Sequence, residues 1–260
     1  MRPLLLVVLL LASALPSATQ DTAAVRFGAA DIGHGIVLHY AEGGSGTPVV
    51  FVHGSLSDMT YWKDQLNTFA RHYRSLAYSR RYNVPNHNTA RAGYSAITDA
   101  EDLAAFIRTL HLGRVYLVGH SYGALTAPYL ATRQLIRAMV LAEPPAIPLL
   151  EDVSGPDRAQ ALRLYADIQR RMVAPMRRDF RAGRREVGVA DFVDYVFADP
   201  DAWTKKFSAE ARAETMRDAD EWEVMMTTGT LFPSISARDV ARIQVPTLLM
   251  TAPSRIDSWR

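Results

Sequence analysis

The sequence contains no cysteine among its 260 residues. Disulfides, thiolate metal sites and a cysteine nucleophile are therefore excluded for this chain. An excess of charge is lacking too, because 29 basic and 27 acidic side chains leave a formal net charge of +2. Such a small charge does not indicate nucleic acid as a partner. The chain is 48% hydrophobic. This proportion, at a length of 260 residues, is typical of one globular domain with its own hydrophobic core.

Long apolar runs are scarce, and the clearest one lies at the N-terminus. Leu4 to Leu11 follows the positive charge of Arg2 and precedes the small residues Ala12-Ser13-Ala14. This order is typical of a secretory signal peptide, and the run is far shorter than the roughly 20 residues of a membrane span. We expect residues 1–20 to be a signal peptide and the mature chain to be periplasmic or secreted, without stable insertion in a membrane. An uncleaved anchor is the weaker alternative.

A strand–turn–helix pattern lies near the middle of the chain. The apolar run Val115–Val118 is followed by Gly119-His120-Ser121-Tyr122-Gly123 and then by a helical pattern. The sequence G-x-S-x-G in this context predicts a sharp turn that lifts the Ser121 hydroxyl out of the sheet, with glycines where side chains would not fit. The alternative is a glycine-rich turn whose serine merely caps the helix.

A second apolar strand, Val49–Val52, ends in His53-Gly54-Ser55. With both turns, the chain resembles the α/β-hydrolase family over residues 24–251. The resemblance implies an α/β fold: a mostly parallel sheet with helices on both faces and a helical cap. It also implies that Ser121 lies on a nucleophile elbow and that the backbone N–H groups of Ser55 and Tyr122 form an oxyanion hole. His53 would then only position its turn.

The same resemblance divides the chain into parts. Residues 24–144 and 236–251 would form the core, and residues 145–235 the helical cap. The aromatic side chains of the cap would either shape a substrate pocket or form its core: Phe192, Tyr195, Trp203 and Trp222. A run of arginines between positions 170 and 185 could attract anions, although such a run is more often a solvated helix face.

Other elements follow from local patterns. We expect a hairpin within residues 25–42, a strand at Arg74–Tyr78, and a helix that begins at a capping box, Thr98 to Glu101. A last strand, ending at Thr251, would be an unprotected sheet edge.

A serine nucleophile needs a base, usually a histidine that a carboxylate orients. In the family the order is Ser, acid, His, yet none of the seven histidines follows Ser121. We therefore expect the chain to lack the strand, helix and histidine beyond Thr251, with residues 252–260 a truncated or non-native tail. His87, on a polar loop near the expected catalytic mouth, is the candidate substitute. His120 flanks the serine, but consecutive residues of the elbow should point apart.

The acid has two candidates. Glu143 ends an apolar strand, at the sheet edge where catalytic groups collect. Asp257 lies near the position that is commoner in the family. We favour Glu143, with the alternative that it is a loop carboxylate paired with a cap arginine.

These residues predict a serine hydrolase that acts on an ester or related carbonyl bond of a small organic substrate through an acyl-enzyme, with no cofactor or metal. A serine nucleophile argues against the dehalogenase and epoxide-hydrolase branches, which use an aspartate there. Carbon–carbon bond hydrolysis and cofactor-free perhydrolysis use the same parts. The alternative is a catalytically inactive truncated chain, or a binding module that retains the pocket.

Overall fold

The computed structural model describes residues 24–131 and 134–251. The expected signal peptide, the tail 252–260 and, with that tail, Asp257 lie outside the described residues. Within the described ranges, none of the helices combines the length and the apolar character that crossing a membrane would require.

Seven strands of the described chain form one sheet, in the order β1-β2-β4-β3-β5-β6-β7. The strands are β1 Arg26–Asp31, β2 Val37–Gly43, β3 Pro48–Val52, β4 Arg74–Tyr78, β5 Val115–His120, β6 Ile136–Ala142 and β7 Thr247–Met250. β2 pairs antiparallel with β1 and β4, and the remaining pairs are parallel. The expected hairpin and the expected strand at Arg74–Tyr78 are both present.

Helices cover both faces of this sheet. Successive side chains of a strand point to opposite faces, and all five residues of β3 are buried. Val50 and Val52 pack with helices α2 (Ala96–Thr109) and α3 (Tyr122–Ala131), whereas Val49 and Phe51 pack with α1 (Lys63–Phe69) and the 3-10 helix before it. The predicted α/β architecture, a mostly parallel sheet with helices on both faces, is confirmed.

Helix α2 begins earlier than its sequence indicated. Ser95 is the N-cap, and its hydroxyl accepts the N–H of Ile97. The expected capping box at Thr98 to Glu101 is therefore wrong. Thr98 lies within the first turn of the helix rather than at its N-cap, and Asp99 beside it is buried and paired with Arg80.

The regular structure between β6 and β7 is all helical. Its α-helices are α4 Arg158–Ile168, α5 Ala174–Arg181, α6 Arg185–Phe197, α7 Ala202–Lys205, α8 Ala209–Arg217, α9 Asp220–Thr227 and α10 Ala237–Ala241. We call this segment the helical insertion. Its apolar side chains, among them Phe180, Trp203 and Trp222, form one buried cluster with Tyr122 and Leu125 of α3. The insertion therefore packs directly on the helix that follows the central strand.

The seven arginines of the run between positions 170 and 185 lie mostly at the surface of the insertion. Five of them pair with acidic side chains: Arg170 and Arg171 with Asp167, Arg178 and Arg184 with Asp179, and Arg185 with Asp220 and Glu223. This pattern favours the interpretation as a solvated helix face.

β7 is the edge of the described sheet, and its apolar side chains Leu248, Leu249 and Met250 are each more than half exposed. The expectation of an exposed edge strand here holds for the described chain.

Phe51 tests the packing of the core on the α1 face of the sheet. Its ring lies between Trp62 and Phe69, at centroid distances of 5.2 and 5.4 Å. We expect Phe51→Ala to lower the free energy of unfolding by about 3–5 kcal/mol, because it leaves a cavity. Phe27 lies on β1 and is 74% exposed, so Phe27→Ala should change it by less than about 0.5 kcal/mol. Urea denaturation measures both, and equal effects would contradict this packing.

Candidate active site

Ser121 lies at the point where β5 turns into α3. Its φ is +49°, in the left-handed region that strains a residue with a side chain. The backbone around it is fixed by hydrogen bonds. Its N–H donates to the carbonyl of Ala142 at 2.8 Å, and its own carbonyl accepts the N–H groups of Ala124 and Leu125. The serine is therefore held in a strained conformation by the strand on one side and the helix on the other.

The two glycines of the motif allow this turn because backbones approach closely there. A Cβ on Gly123 would lie 2.5 Å from the carbonyl oxygens of Val52 and His53, and one on Gly119 would lie 2.7 Å from the carbonyl of Gly123. Real Cβ atoms do not come so close to backbone atoms. The first turn of α3 is thus pressed against the end of β3.

This close approach brings the two predicted oxyanion residues together. A Cβ on Gly54 would lie 3.1 Å from Cβ of Ser121, so the turn after β3 contacts the serine. Ser55, Ser121 and Tyr122 line the same cavity. Among the described residues, no protein acceptor takes the backbone N–H of Ser55 or Tyr122, and Tyr122 begins α3, where helix amides favour negative charge. Both amides can therefore bind an anionic oxygen.

His53 is buried and serves the turn through its ring. Nδ1 donates to the carbonyl of Gly54 at 2.8 Å, and Nε2 accepts the N–H of Arg80 at 3.0 Å. This pair of bonds fits the neutral tautomer that carries its hydrogen on Nδ1. Burial, with Arg80 nearby, lowers the pKa of His53 well below its ordinary value. The ring thus braces the turn and has no free nitrogen for proton transfer.

Glu143 follows β6 and lies at the rim of the same cavity. Its N–H donates to the carbonyl of Met250 at 2.8 Å, and its side chain is about half exposed. One carboxylate oxygen lies 3.9 Å from Nε2 of His120, whose ring stacks on Tyr61. Burial lowers the pKa of His120, and Glu143 opposes that shift. Within the described chain, no hydrogen bond joins His120 to Ser121.

His87 is not brought together with Ser121. It lines a second cavity, with Tyr82 and Arg91 among its neighbours. The reason lies in the adjacent asparagines. Asn86 Oδ1 accepts the N–H of His39, and Asn88 Oδ1 accepts that of Val37, at 2.8 and 2.9 Å. These bonds tie the loop along β2 and away from the end of β5.

The cavity around Ser121 has a volume of about 460 Å³. One side of the cavity is formed by the turn after β3 and the turn at Ser121, and the other side is formed by the helical insertion. The insertion supplies mostly apolar side chains: Ile147, Ile168, Met172, Phe192, Tyr195, Val196, Trp222, Leu231 and Phe232. No lysine or arginine is among the described residues that line it. Of the four cap aromatics singled out in the sequence, Phe192, Tyr195 and Trp222 line this cavity, whereas Trp203 belongs to the buried cluster of the insertion.

Sequence patterns missed a buried charge cluster behind the turn after β3. The Arg80 side chain is fully buried and pairs with Asp99 of α2 and with Glu221 of α9. Burial raises the pKa of Glu221 to about 7, against the pull of Arg80. Three charged residues so far apart along the chain leave no local pattern, so no sequence signal could have joined them.

The described residues do not form a candidate metal site. Within residues 24–131 and 134–251, no group of three or more histidine, aspartate or glutamate side chains is arranged to hold a metal ion.

Residues 49–259 match the model of the alpha/beta hydrolase family. This match covers most of the chain, which therefore belongs to that family.

Similar proteins within the family carry different activities. The chain is 38% identical over 90 residues to an (E)-2-((N-methylformamido)methylene)succinate hydrolase of Acinetobacter baylyi, covering 34% of this chain and 33% of that protein. It is 31% identical over 128 residues to an epoxide hydrolase of Siraitia grosvenorii, covering 45% and 40%. The chain thus matches well under half of the length of these relatives.

Solved structures show the same fold at lower sequence identity. An enol-lactonase of Burkholderia xenovorans aligns with a TM-score of 0.61 at 21% identity, over 87% of this chain and 80% of that one. Likeness at this level of identity supports the fold and does not select a reaction.

The strain at the elbow can be measured with two variants that both remove the hydroxyl. Ser121→Gly places glycine at φ +49°, where it is unstrained, whereas Ser121→Ala keeps a Cβ there. Although glycine gains more freedom on unfolding, we expect Ser121→Gly to be more stable than Ser121→Ala by about 1 kcal/mol. Urea denaturation of the two variants checks this, and a less stable glycine variant would show that the turn is not strained.

Proposed function

We propose that this chain hydrolyses an ester or related carbonyl bond of a small organic substrate, with Ser121 as the nucleophile. The observation that carries the proposal is the juxtaposition of Ser121 with two free amides. The serine sits on a strained elbow beside the N–H groups of Ser55 and Tyr122, which no described acceptor uses. Two such donors stabilise the charge that develops on a carbonyl oxygen under attack.

In this mechanism the Ser121 hydroxyl oxygen attacks the carbonyl carbon and gives up its proton to a base. The oxyanion that forms is bound by the amides of Ser55 and Tyr122. Its collapse expels the alcohol, which takes the proton, and leaves the acyl group on Ser121. Water then attacks the acyl-enzyme, so the acid is released and the serine hydroxyl is restored. Glu143, at the rim of the cavity, is our candidate for the carboxylate that orients the base.

The nucleophile separates this proposal from the activity of the epoxide-hydrolase relative. The branch of the family that opens epoxides uses an aspartate at the elbow, whereas this chain has Ser121. An acyl-enzyme formed on a serine needs a carbonyl substrate, and the paired amides suit a carbonyl oxygen.

A second candidate function is binding without turnover. The observation in its favour is that, among the described residues, no histidine is hydrogen-bonded to Ser121. A serine without a base is a poor nucleophile. The apolar cavity would then hold a small molecule and release it unchanged.

Labelling with a fluorophosphonate probe separates the two candidates. We expect the wild type to be labelled, and Ser121→Ala to lose labelling by at least about 1000-fold, because the nucleophile is gone. His87→Ala serves as a histidine control, since His87 lines the other cavity, and it should label like the wild type. A folded wild type that takes no label would contradict the hydrolase proposal and favour binding alone.

The lining of the cavity predicts which esters react. Its walls are apolar, its described lining holds no lysine or arginine, and Glu143 stands at the rim. We expect p-nitrophenyl butyrate to have a kcat/KM at least about tenfold higher than the p-nitrophenyl monoester of succinate, which carries a carboxylate of similar size. Steady-state kinetics measures the ratio, and a preference for the anionic ester would contradict the assigned cavity.

A further inference from the structure

The turn that carries Ser55 is supported from the sheet side by Arg80. Nη2 of Arg80 donates to the carbonyl of Gly54 at 3.1 Å, and the Arg80 N–H donates to the ring of His53. The guanidinium also lies over the ring of Tyr122, 5.1 Å from its centroid. One buried cation thus contacts the residue before Ser55 and the side chain of Tyr122, at the two proposed oxyanion donors.

The same turn is supported from the other side by the helical insertion. Oε1 of Glu221, on α9, accepts the N–H of Leu56 at 2.8 Å, and its carboxylate pairs with Arg80. The Glu221 side chain is fully buried. Leu56 directly follows Ser55 and has a φ of +55°, a conformation that persists only when its surroundings hold it. Glu221 therefore fixes the strained residue next to the proposed oxyanion donor.

We propose that Glu221 is a positioning residue: through Leu56 it holds the Ser55 amide in place, so that docking of the helical insertion sets the geometry of the oxyanion hole. The catalytic part of this inference rests on the proposed function. The structural part, the restraint of residues 53–56 by Glu221, does not.

Stability alone does not account for this arrangement. Taking a guanidinium and two carboxylates out of water is costly, and their attraction often no more than offsets that cost. The bond to the Leu56 amide, by contrast, has a definite geometric consequence. A carboxylate that accepts a backbone N–H makes a short, directional bond, and this one joins α9 to the residue after Ser55.

Two variants of near-equal size separate the loss of the acceptor from the loss of charge. Glu221→Gln removes the charge but keeps an oxygen that can accept the Leu56 N–H, whereas Glu221→Met removes both. Glu223→Gln is the matched control, because Glu223 lies on the same helix, at its outer surface, and pairs with Arg185.

Hydrogen exchange of a peptide that covers residues 53–58 is the first readout. We expect Glu221→Met to speed exchange there about tenfold, as the loss of one hydrogen bond implies. Glu221→Gln should stay within about threefold of the wild type, and Glu223→Gln should match it. If Glu221→Met does not fold, Glu221→Asp takes its place, since its shorter side chain keeps the charge but does not reach Leu56. Wild-type exchange in a folded variant without the acceptor would overturn the inference, and so would equal exchange in the glutamine and methionine variants.

Fluorophosphonate labelling of Ser121 is the second readout. We expect Glu221→Met to lower the maximal labelling rate by up to about 100-fold, the effect of a lost oxyanion donor. The probe concentration for half-maximal rate should change by less than about twofold, because the cavity walls are intact. Glu221→Gln should keep most of the wild-type labelling rate, because it retains an oxygen that can accept the Leu56 N–H. An unlabelled wild type would overturn the proposed function alone, and the exchange measurement would then decide the role of Glu221.

Discussion

The site depends on one close contact between backbones, where the first turn of α3 meets the end of β3. Gly123 has no side chain, and a Cβ there would overlap the carbonyls of Val52 and His53. Because the two segments touch, the amides that follow them, at Ser55 and Tyr122, open into one cavity. Ser121 lies directly before this contact and has a positive φ, with its backbone held by hydrogen bonds to Ala142, Ala124 and Leu125. Strain at the serine and proximity of the two amides thus occur at one turn.

A buried charge cluster extends this contact to the helical insertion. Arg80 meets two carboxylates, Asp99 and Glu221, that come from opposite sides, α2 of the core and α9 of the insertion. Burial raises the pKa of Glu221 to about 7, against the opposing effect of Arg80. Burying these charges costs desolvation free energy, so the cluster is an expensive means of joining the core to the helical insertion. It differs from the apolar contacts around it because it ends in a directed hydrogen bond to Leu56.

Local sequence predicted the parts of the structure that local physics determines. The strand at Arg74–Tyr78 and the turn at Ser121 follow from apolar runs and from glycines that clear space. The capping box at Thr98 failed because Ser95, three residues earlier, already caps the helix, so Thr98 lies within its first turn. His87 lies away from Ser121 because the adjacent Asn86 and Asn88 accept hydrogen bonds from the backbone of β2. A competing local cap decided the first case. Contacts between residues distant in the chain decided the second, and one sequence does not display them.

The insertion contacts both the turn after β3 and the cavity wall through consecutive residues of α9. Glu221 binds the turn that carries Ser55, and Trp222, the next residue, forms part of the cavity wall. Neighbours on a helix point about 100° apart, so one turn of α9 directs Glu221 to the turn after β3 and Trp222 to the cavity. The position of α9 therefore sets two things at once, the acceptor for the Leu56 amide and part of the cavity wall. Because protein interiors are close-packed, the way the insertion docks on the core determines both.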